Sequence, residues 1–531
     1  MREPLFLVGF MAAGKTSIGR AIALSTNRRF VDLDDVIPAQ LPPGETVASL
    51  VARNEPEFRR CESAALQSLI ADAGDAVIAT GGGAAAHHDN MTRMRAAGFV
   101  VALGVDVGVA KSRAAGGPER PLLASADELA ARRAPSYRRA HVTIETTNRT
   151  LADVAALVLD AEAAWERLPP ARRDATLLAL DGGRTYPIAV HDRAVDGDLV
   201  GRYLEGASKV ALVTDREVAR HWQASALAAL PANTEVIEID AGEASKSIEV
   251  YGRICEELIA RGLDRSSALV ALGGGVVGDI TGFVAATLFR GIPFVQLPTT
   301  IVAMTDAAIG GKTAVDLGAG KNLVGAFWQP RLVACGLETL STLPARERRA
   351  GFGELWKYAL LDGAALWQLV DACTGWAAGD ARELPPALHE VIARSIAYKA
   401  AIVSRDEREL TGHRALLNLG HTVGHAIESA TGLHHGEAVG LGLIAACRVS
   451  AALVGARASL EAEVTEALRR TGLPADLDPH LTDDVLGRLK VDKKRMGDKL
   501  RFIAIREVGA CVPVEIAVTE LRRILRPSSA P

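Results

Sequence analysis

Short apolar runs separated by amphipathic stretches set the rhythm of this chain. Leu5-Phe-Leu-Val8, Ala76-Val-Ile-Ala79 and Phe99-Val-Val-Ala-Leu103 carry no polar face, which predicts strands buried from both sides. Helical stretches lie between them, the first over Thr16–Ser25. That alternation predicts a parallel sheet covered by helices. A helix beginning near Leu151 is closed by Leu168-Pro-Pro170 and the charges after it, which predicts a linker over 166–175. The rhythm then resumes, with strands predicted at 176–180, 186–190, 209–213, 236–239, 268–272 and 293–297. From about residue 345 the pattern turns mostly helical, apart from one isolated late strand at Phe502-Ile-Ala-Ile505. The tail from Arg526 is expected to fray. The fold class is therefore α/β, with a parallel-sheet domain over 1–165, a second α/β domain over 176–343 and a mostly helical domain over 344–531.

Composition narrows the class of protein. A chain of 531 residues exceeds one ordinary core, and 49% hydrophobic with 23% charged residues is globular. Aromatics make up 4%, so Ala, Val, Leu and Ile must fill the cores. The net charge of −4 offers no attraction for nucleic acid or an anionic membrane. Six scattered cysteines form no CxxC pair and read as reduced thiols of a cytoplasmic protein. No uncharged apolar run reaches the roughly 18 residues of a membrane span. The apolar start Pro4–Ala13 runs straight into Gly14-Lys15-Thr16, so a buried first strand explains it better than a signal peptide.

Two sets of residues carry chemistry. Gly9-Phe-Met-Ala-Ala-Gly14-Lys15-Thr16 lies between a strand and a helix, the arrangement of a P-loop. Its backbone N–H groups cradle phosphates, Lys15 adds a point charge, and Thr16 offers a hydroxyl to Mg²⁺. Phe30-Val-Asp32-Leu-Asp34 is expected to end a strand with two carboxylates on one face. Arg59 and Arg60 offer guanidinium groups that can clamp a carboxylate, and Gly81-Gly82-Gly83 lets backbone approach a ligand. Arg120 sits in a Gly/Pro-rich stretch suited to a mobile lid, and Arg133 adds a further cation.

Together these residues resemble shikimate kinase over essentially all of 1–165. The resemblance implies that Gly9, Ala12, Ala13, Gly14, Lys15, Thr16 and Ser17 hold ATP, with Arg113 near adenine. Thr16 and Asp32 would support Mg²⁺, and Asp34 would orient the attacking hydroxyl. Arg59, Gly81, Gly82, Gly83 and Arg133 would grip shikimate, while Arg120 would close over the transferring phosphate. The chain departs from the family at Ala12, where glycine is usual, at Pro38, and at Asn54-Glu-Pro56.

The second set begins with Gly273-x-Gly275-x-x-Gly278 after a strand, a weak dinucleotide signal because no acidic residue follows at the usual distance. Glu354 and Lys357 are one helical turn apart, and so are His421 and His425. Spacing alone makes both histidines ligands of one metal, with His434 and His435 close behind. Lys357, Lys399, Arg414 and Asn418 suggest an anionic substrate beside it.

These strings resemble 3-dehydroquinate synthase over about 176–525, along with Gly242-Glu243-x-x-Lys246, Pro298-Thr-Thr300, Gly310-Gly-Lys312-Thr, Gly320-Lys321-Asn322, His435-Gly-Glu437 and Asp492-Lys493-Lys494. The resemblance makes Glu354, His421 and His435 the ligands of Zn²⁺ or Co²⁺ and leaves His425 on the substrate side. Asp215, Glu243, Lys246, Gly274, Gly275, Val276, Asp279, Thr299, Thr300, Asp306, Lys312 and Lys321 would surround NAD⁺. Asp306, Lys312, Asn322, Lys357, Lys399, Arg414, Asn418, His425 and Lys494 would hold the substrate, 3-deoxy-arabino-heptulosonate 7-phosphate. Lys357, Lys399, Arg414 and His425 would form its catalytic group. Arg290 would reach the substrate of a neighbouring subunit in a homodimer. Departures stand at Ala307, Ala308, Asp316 and Gly353. The two resemblances imply a bifunctional enzyme of aromatic amino acid biosynthesis with small-molecule substrates. The alternatives are a metal-dependent polyol dehydrogenase or another sugar-phosphate cyclase in the C-terminal half, and a degenerate kinase serving as a stabilising module in the N-terminal half.

Overall fold

Five strands build the first sheet of this computed structural model, which describes residues 2–41, 44–115, 126–489 and 499–526. They are β1 (Leu5–Gly9), β2 (Phe30–Asp32), β3 (Val77–Ala79), β4 (Phe99–Gly104) and β5 (Val142–Glu145), in the order β2-β3-β1-β4-β5. All four strand pairs are parallel. β1 is central and buried along its whole length, as its unbroken Leu-Phe-Leu-Val requires. Helices Lys15–Thr26 and Glu55–Ala71 supply the first two connections, and Leu151–Glu166 follows β5.

A second sheet has seven strands. β6 (Thr176–Leu178), β7 (Tyr186–His191), β8 (Val210–Asp215), β9 (Glu235–Ile239), β10 (Ala268–Gly273), β11 (Phe294–Pro298) and β14 (Leu332–Gly336) run in the order β6-β7-β14-β11-β10-β8-β9. The pairs from β7 onward are parallel. The sequence does not announce β12 (Lys312–Leu317) and β13 (Gly320–Phe327), an antiparallel hairpin. β13 is largely exposed and rich in polar and small residues, so it has no apolar run to betray it. The helical part follows, dominated by Ala345–Asp362, Leu388–Arg405, His421–Thr431 and His435–Val454. Among the described residues, His435–Val454 is the one helix long and apolar enough to cross a membrane, and 72% of its most apolar window is buried inside the protein.

Two expectations need correction. The late strand is not isolated: β15 (Lys499–Glu507) pairs antiparallel with β16 (Ala510–Ala517) through a turn at Gly509, φ +93°. Pro513 masked β16, because proline argues against an inner strand yet is tolerated at an edge. Asp34 is not on β2. The strand stops at Asp32, whose carboxylate accepts the Asp34 N–H (3.2 Å) and caps a helical turn, Leu33–Val36. The chain packs as two units, 1–187 with 403–405 and 188–402 with 406–531, and the 166–175 segment lies within the first. That segment is tied down. The Trp165 indole donates to Arg173 O (2.7 Å), Pro170–Arg172 forms a 3₁₀ turn, and Leu177 N–H donates to His141 O (2.7 Å). The lid around Arg120, the Asp492-Lys493-Lys494 string and the terminal tail lie outside the described residues.

His141 carries a consequence for stability. Its ring stacks on Phe99 with centroids 5.6 Å apart, and Nδ1 accepts the Val100 N–H at 2.9 Å. Nε2 is buried with no partner. Burial, reinforced by Arg95, holds its pKa well below the usual histidine value. The unfolded chain therefore binds a proton that the folded one refuses, and stability falls as pH drops below about 6.5, by up to about 1.4 kcal/mol per pH unit. The first unit of His141→Gln is expected to show a flatter acid profile than wild type when the fraction resisting limited proteolysis after a heat challenge is followed from pH 7.5 to 5. Identical profiles would count against this origin.

Candidate functional sites

In the first unit the P-loop is a tight turn. Gly14 (φ +95°) caps helix Lys15–Thr26, and Ser17 lies in its first turn. Gly9 passes so close to β4 that a Cβ there would lie 2.5 Å from Leu103 O. Lys15 Nζ donates to Gly9 O (2.9 Å) and Phe10 O (3.0 Å), while Ala13 is fully buried. Thr16 Oγ1 donates to Asp32 Oδ2 at 2.8 Å, which brings the two residues expected at Mg²⁺ together. Arg113 donates to Thr146 O (3.0 Å) and, more weakly, to Ala12 O (3.4 Å).

Ala12 itself sits at φ +57°, a left-handed backbone that glycine adopts freely and alanine does not. Ala12→Gly is therefore expected to stabilise the first unit by about 1 kcal/mol, the strain relieved outweighing the added freedom of the unfolded chain. Thermal unfolding of the two proteins at one pH checks this, and a lower midpoint for the glycine variant would refute it.

The acceptor side gathers around Gly81–Gly83. A Cβ on Gly81 would lie 2.7 Å from Glu62 and 3.1 Å from Asp34, and one on Gly83 would lie 2.4 Å from Arg59. Arg133 Nη1 donates to Gly82 O (3.2 Å), and the Tyr137 hydroxyl donates to the same carbonyl. Arg59 pairs with Glu62 and Glu55, both at 2.9 Å. An adjoining cavity of about 500 Å³ is lined by Glu55, Arg59, His87, His88, Arg132 and Arg133 among others. Burial, with Arg59 and Arg133 nearby, pushes His87 down to about 4, so it is neutral at physiological pH. His87, Glu62 and Tyr137 escaped the sequence reading because nothing local marks them. They become site residues only where the glycine segment crosses Arg59 and Arg133.

In the larger unit, Gly274 caps helix Gly275–Thr287, with Val276 in its first turn, so the glycine string opens a helix. A Cβ on Gly274 would lie 3.3 Å from Thr300, and one on Gly278 would lie 2.6 Å from Gln296. Thr299 N–H donates to Gly273 O at 3.0 Å. Lys246 Nζ and Asp279 Oδ2 pair at 2.5 Å. Burial raises Asp279 to about 6 against the pull of Lys246. Asp215 is partly committed to structure, since its Oδ1 accepts the N–H groups of Glu217 (2.9 Å) and Val218 (3.0 Å). Glu243 lies 3.8 Å from Lys321, and Asn322 N–H donates to Asp316 Oδ1 at 2.7 Å. Arg290 (φ +71°) lies in the short turn Leu288–Arg290 that follows that helix.

The helical elements converge on Glu354, which is fully buried in helix Ala345–Asp362. Its Oε1 faces His421 Nε2 at 3.3 Å and His435 Nε2 at 3.1 Å, and its Oε2 meets Lys357 Nζ at 2.5 Å. His421 Nδ1 is engaged with Leu419 O (3.0 Å) and His435 Nδ1 with Glu428 Oε2 (3.1 Å). Both imidazoles thus direct Nε2 at one carboxylate oxygen, a set that fits Zn²⁺ or Co²⁺ with an open position. His421, His425 and His435 bring one nitrogen each within 4.8 Å of one another, so His425 stands beside the other two imidazoles. Burial, then His421 and His435, lowers His425 to about 4. Burial works against Glu354 ionising, but Lys357 and His421 hold its carboxyl well below the usual range.

The cations stand around this cluster. Asp306 lies in a one-turn π-helix, Ala303–Ala307, the kind of irregular turn found at functional sites. Its carboxylate is 2.7 Å from Lys399 and 3.9 Å from Lys357, and burial lowers Lys399 to about 8 although Asp306 opposes this. Arg414 is buried, 3.5 Å from Glu409, and Lys312 meets the same carboxylate at 2.5 Å. Asn418, at the end of the 3₁₀ turn His413–Asn418, is exposed. Glu409 was missed from sequence. Its signal is a left-handed backbone (φ +59°) unusual for glutamate, which only the structure reveals.

Two helices make the cluster possible by touching. A Cβ on Gly353 would lie 2.1 Å from Gly436 O, and one on Gly436 would lie 1.7 Å from Ala350 O. Backbone against backbone brings Glu354 up to His435, which gives the departure at Gly353 a physical reason.

Comparison with known proteins finds relatives of both parts of the chain. Family models described as 3-dehydroquinate synthase N-terminal and C-terminal match residues 236–350 and 351–495, and a shikimate kinase model matches 11–162. A 3-dehydroquinate synthase of Xanthomonas campestris pv. campestris strain 8004 is 42% identical over 381 residues, covering 67% of this chain and 99% of the relative. A 2-deoxy-scyllo-inosose synthase, solved with carbaglucose-6-phosphate, NAD⁺ and Co²⁺, is 26% identical with a TM-score of 0.58, covering 66% of this chain and 99% of its own. A 2-epi-5-epi-valiolone synthase from Streptomyces hygroscopicus subsp. jinggangensis, solved with NAD⁺ and Zn²⁺, is 27% identical with a TM-score of 0.56, covering 64% and 95% respectively. The chain belongs to the 3-dehydroquinate synthase family and carries a shikimate kinase domain at its N-terminus.

Proposed function

We propose that this protein is a bifunctional enzyme of the shikimate pathway. It phosphorylates shikimate to shikimate 3-phosphate at the expense of ATP, and it converts 3-deoxy-arabino-heptulosonate 7-phosphate to 3-dehydroquinate and phosphate. The kinase is assigned to residues 1–165, with 166–175 joining it to the synthase. The synthase takes 176–343 for the dinucleotide and 344–531 for metal and substrate. The observation that carries the synthase reading is the convergence of two oriented imidazoles on Glu354, with Lys357, Lys399 and Asp306 alongside. A polyol dehydrogenase needs no such bank of cations.

In the kinase, Lys15 and the loop amides neutralise the phosphates, Thr16 and Asp32 hold Mg²⁺, and Asp34 orients the attacking hydroxyl. Arg59, the backbone of Gly81–Gly83, and Arg133 hold shikimate, so the rate comes from positioning and charge neutralisation. Arg120 would complete the site over the phosphate. In the synthase, bound NAD⁺ supplies a reversible hydride acceptor and bound Zn²⁺ or Co²⁺ a Lewis acid. Glu354, His421 and His435 hold the metal. Asp215, Glu243, Lys246, Gly274, Gly275, Val276, Asp279, Thr299 and Thr300 surround the dinucleotide. Lys357, Lys399, Arg414 and Lys494 hold the anionic substrate, with Lys312, Asn322 and Asn418 at its rim. His425, neutral at physiological pH, is suited to accept a proton. The protein is further assigned to the cytoplasm as a homodimer formed through the synthase half, with Arg290 reaching its partner's substrate.

The test is phosphate release from 3-deoxy-arabino-heptulosonate 7-phosphate by metal-stripped protein given Zn²⁺ and trace NAD⁺, with absorbance at 340 nm followed in parallel. Phosphate release without lasting NADH is expected, together with ATP-dependent phosphorylation of shikimate. NADH accumulating on simple polyols, with no phosphate released, would overturn the synthase assignment.

A further inference from the structure

Glu428 has no part in the reading above, yet it links the metal cluster to the hairpin on the dinucleotide side. On helix His421–Thr431 it stands at i+7 from His421 and i+3 from His425, so all three share one face. Its Oε2 accepts from His435 Nδ1 at 3.1 Å, and its Oε1 accepts from Lys321 Nζ at 3.1 Å. Lys321 in turn lies 3.8 Å from Glu243, beside Asn322 on β13. One carboxylate therefore joins the start of helix His435–Val454 to β13, a strand that is otherwise largely exposed.

We propose that Glu428 is a positioning residue with two linked effects, a proposal that rests on assigning Glu354, His421 and His435 to the metal. It fixes the His435 tautomer with the proton on Nδ1, which leaves Nε2 free to ligate. It also anchors Lys321, whose side chain is 60% exposed and is otherwise held only by the longer pair with Glu243 at 3.8 Å. A metal that pins His435 thereby pins Glu428 and, through it, Lys321. The ordering cost of a long lysine side chain is then met before the dinucleotide arrives. Metal and NAD⁺ affinities are coupled, and the coupling is reciprocal.

Co²⁺ and NAD⁺ are the probes, used on the full-length chain. Co²⁺ affinity is measured by chelator competition and from the ligand-field spectrum, and NAD⁺ affinity is measured with and without Co²⁺. Glu428→Ala is expected to weaken Co²⁺ about 10- to 100-fold, shift its spectrum and abolish a coupling of at least about fivefold seen in wild type. Glu428→Gln keeps an acceptor for His435 but loses the charge on Lys321, so it should retain most metal affinity and lose the coupling. Lys321→Met should bind Co²⁺ like wild type and also lose the coupling. Wild-type circular dichroism and thermal unfolding of each variant confirm a folded protein. Wild-type-like Co²⁺ affinity and spectrum in Glu428→Ala, or coupling that survives in Lys321→Met, would overturn the proposal. If Glu354→Ala and His421→Ala also bind Co²⁺ normally, the metal assignment itself has failed, and the proposal with it.

Discussion

Replacing Glu354 with alanine is expected to cut phosphate release by on the order of a thousandfold, about 4 kcal/mol at 1.4 kcal/mol per decade. Glu354 is the point at which both imidazole nitrogens meet, so its loss removes an oxygen ligand and the reference for the other two. It also strips Lys357, whose side chain is 1% exposed, of a counter-charge 2.5 Å away. Breaking a buried pair costs up to about 3–5 kcal/mol, and here only the longer contact with Asp306 at 3.9 Å remains, so destabilisation of the helical part must be separated from lost chemistry. Glu354→Gln does this, because it keeps the volume and one acceptor oxygen. Initial rates of phosphate release at saturating Zn²⁺, with thermal unfolding alongside, decide the matter. A folded Glu354→Gln or Glu354→Ala protein that turns over like wild type would sink the assignment. Shikimate phosphorylation should stay within about twofold of wild type, since the kinase residues belong to the other packing unit.

The converse experiment is Lys15→Met. Lys15 Nζ stands against Gly9 O and Phe10 O, at the centre of the loop that receives the phosphates. Removing a fixed charge aimed at developing negative charge costs about 2.7–4 kcal/mol, or about 10²- to 10³-fold in turnover. The loss should appear mainly in kcat for shikimate phosphorylation, followed by ADP release, with phosphate release by the synthase unchanged. Near-wild-type kinase turnover would remove the P-loop lysine from the reaction. A parallel loss of both activities would instead show that the two halves depend on one another.

Much of the fold was legible because its elements are local. The unbroken apolar runs at Leu5–Val8 and Ala268–Leu272 can only be strands buried on both faces, and each falls inside a central parallel strand. β12 and β13 carried no such run, and β16 was hidden by Pro513, so both hairpins escaped. Asp32 and Asp34 were misplaced because alternation along a strand was assumed to continue past the residue that ends it. An aspartate at that position prefers to cap a helical turn.

The sequence by itself determined that two chemistries share this chain. Each is announced by residues a few positions apart, and spacing within one loop or one helical turn is enough to aim them at a common ligand. The P-loop, Glu354 with Lys357, and His421 with His425 are of this kind. Only the tertiary structure decided how these pieces meet. His435 reaches Glu354 from 81 residues away because Gly353 and Gly436 let two helices touch backbone to backbone. Glu409 faces Lys312, and Glu428 joins His435 to Lys321, across comparable separations. No local pattern records the distance between two helices. It follows from the volume of every side chain packed between them, and at this site that volume is close to zero.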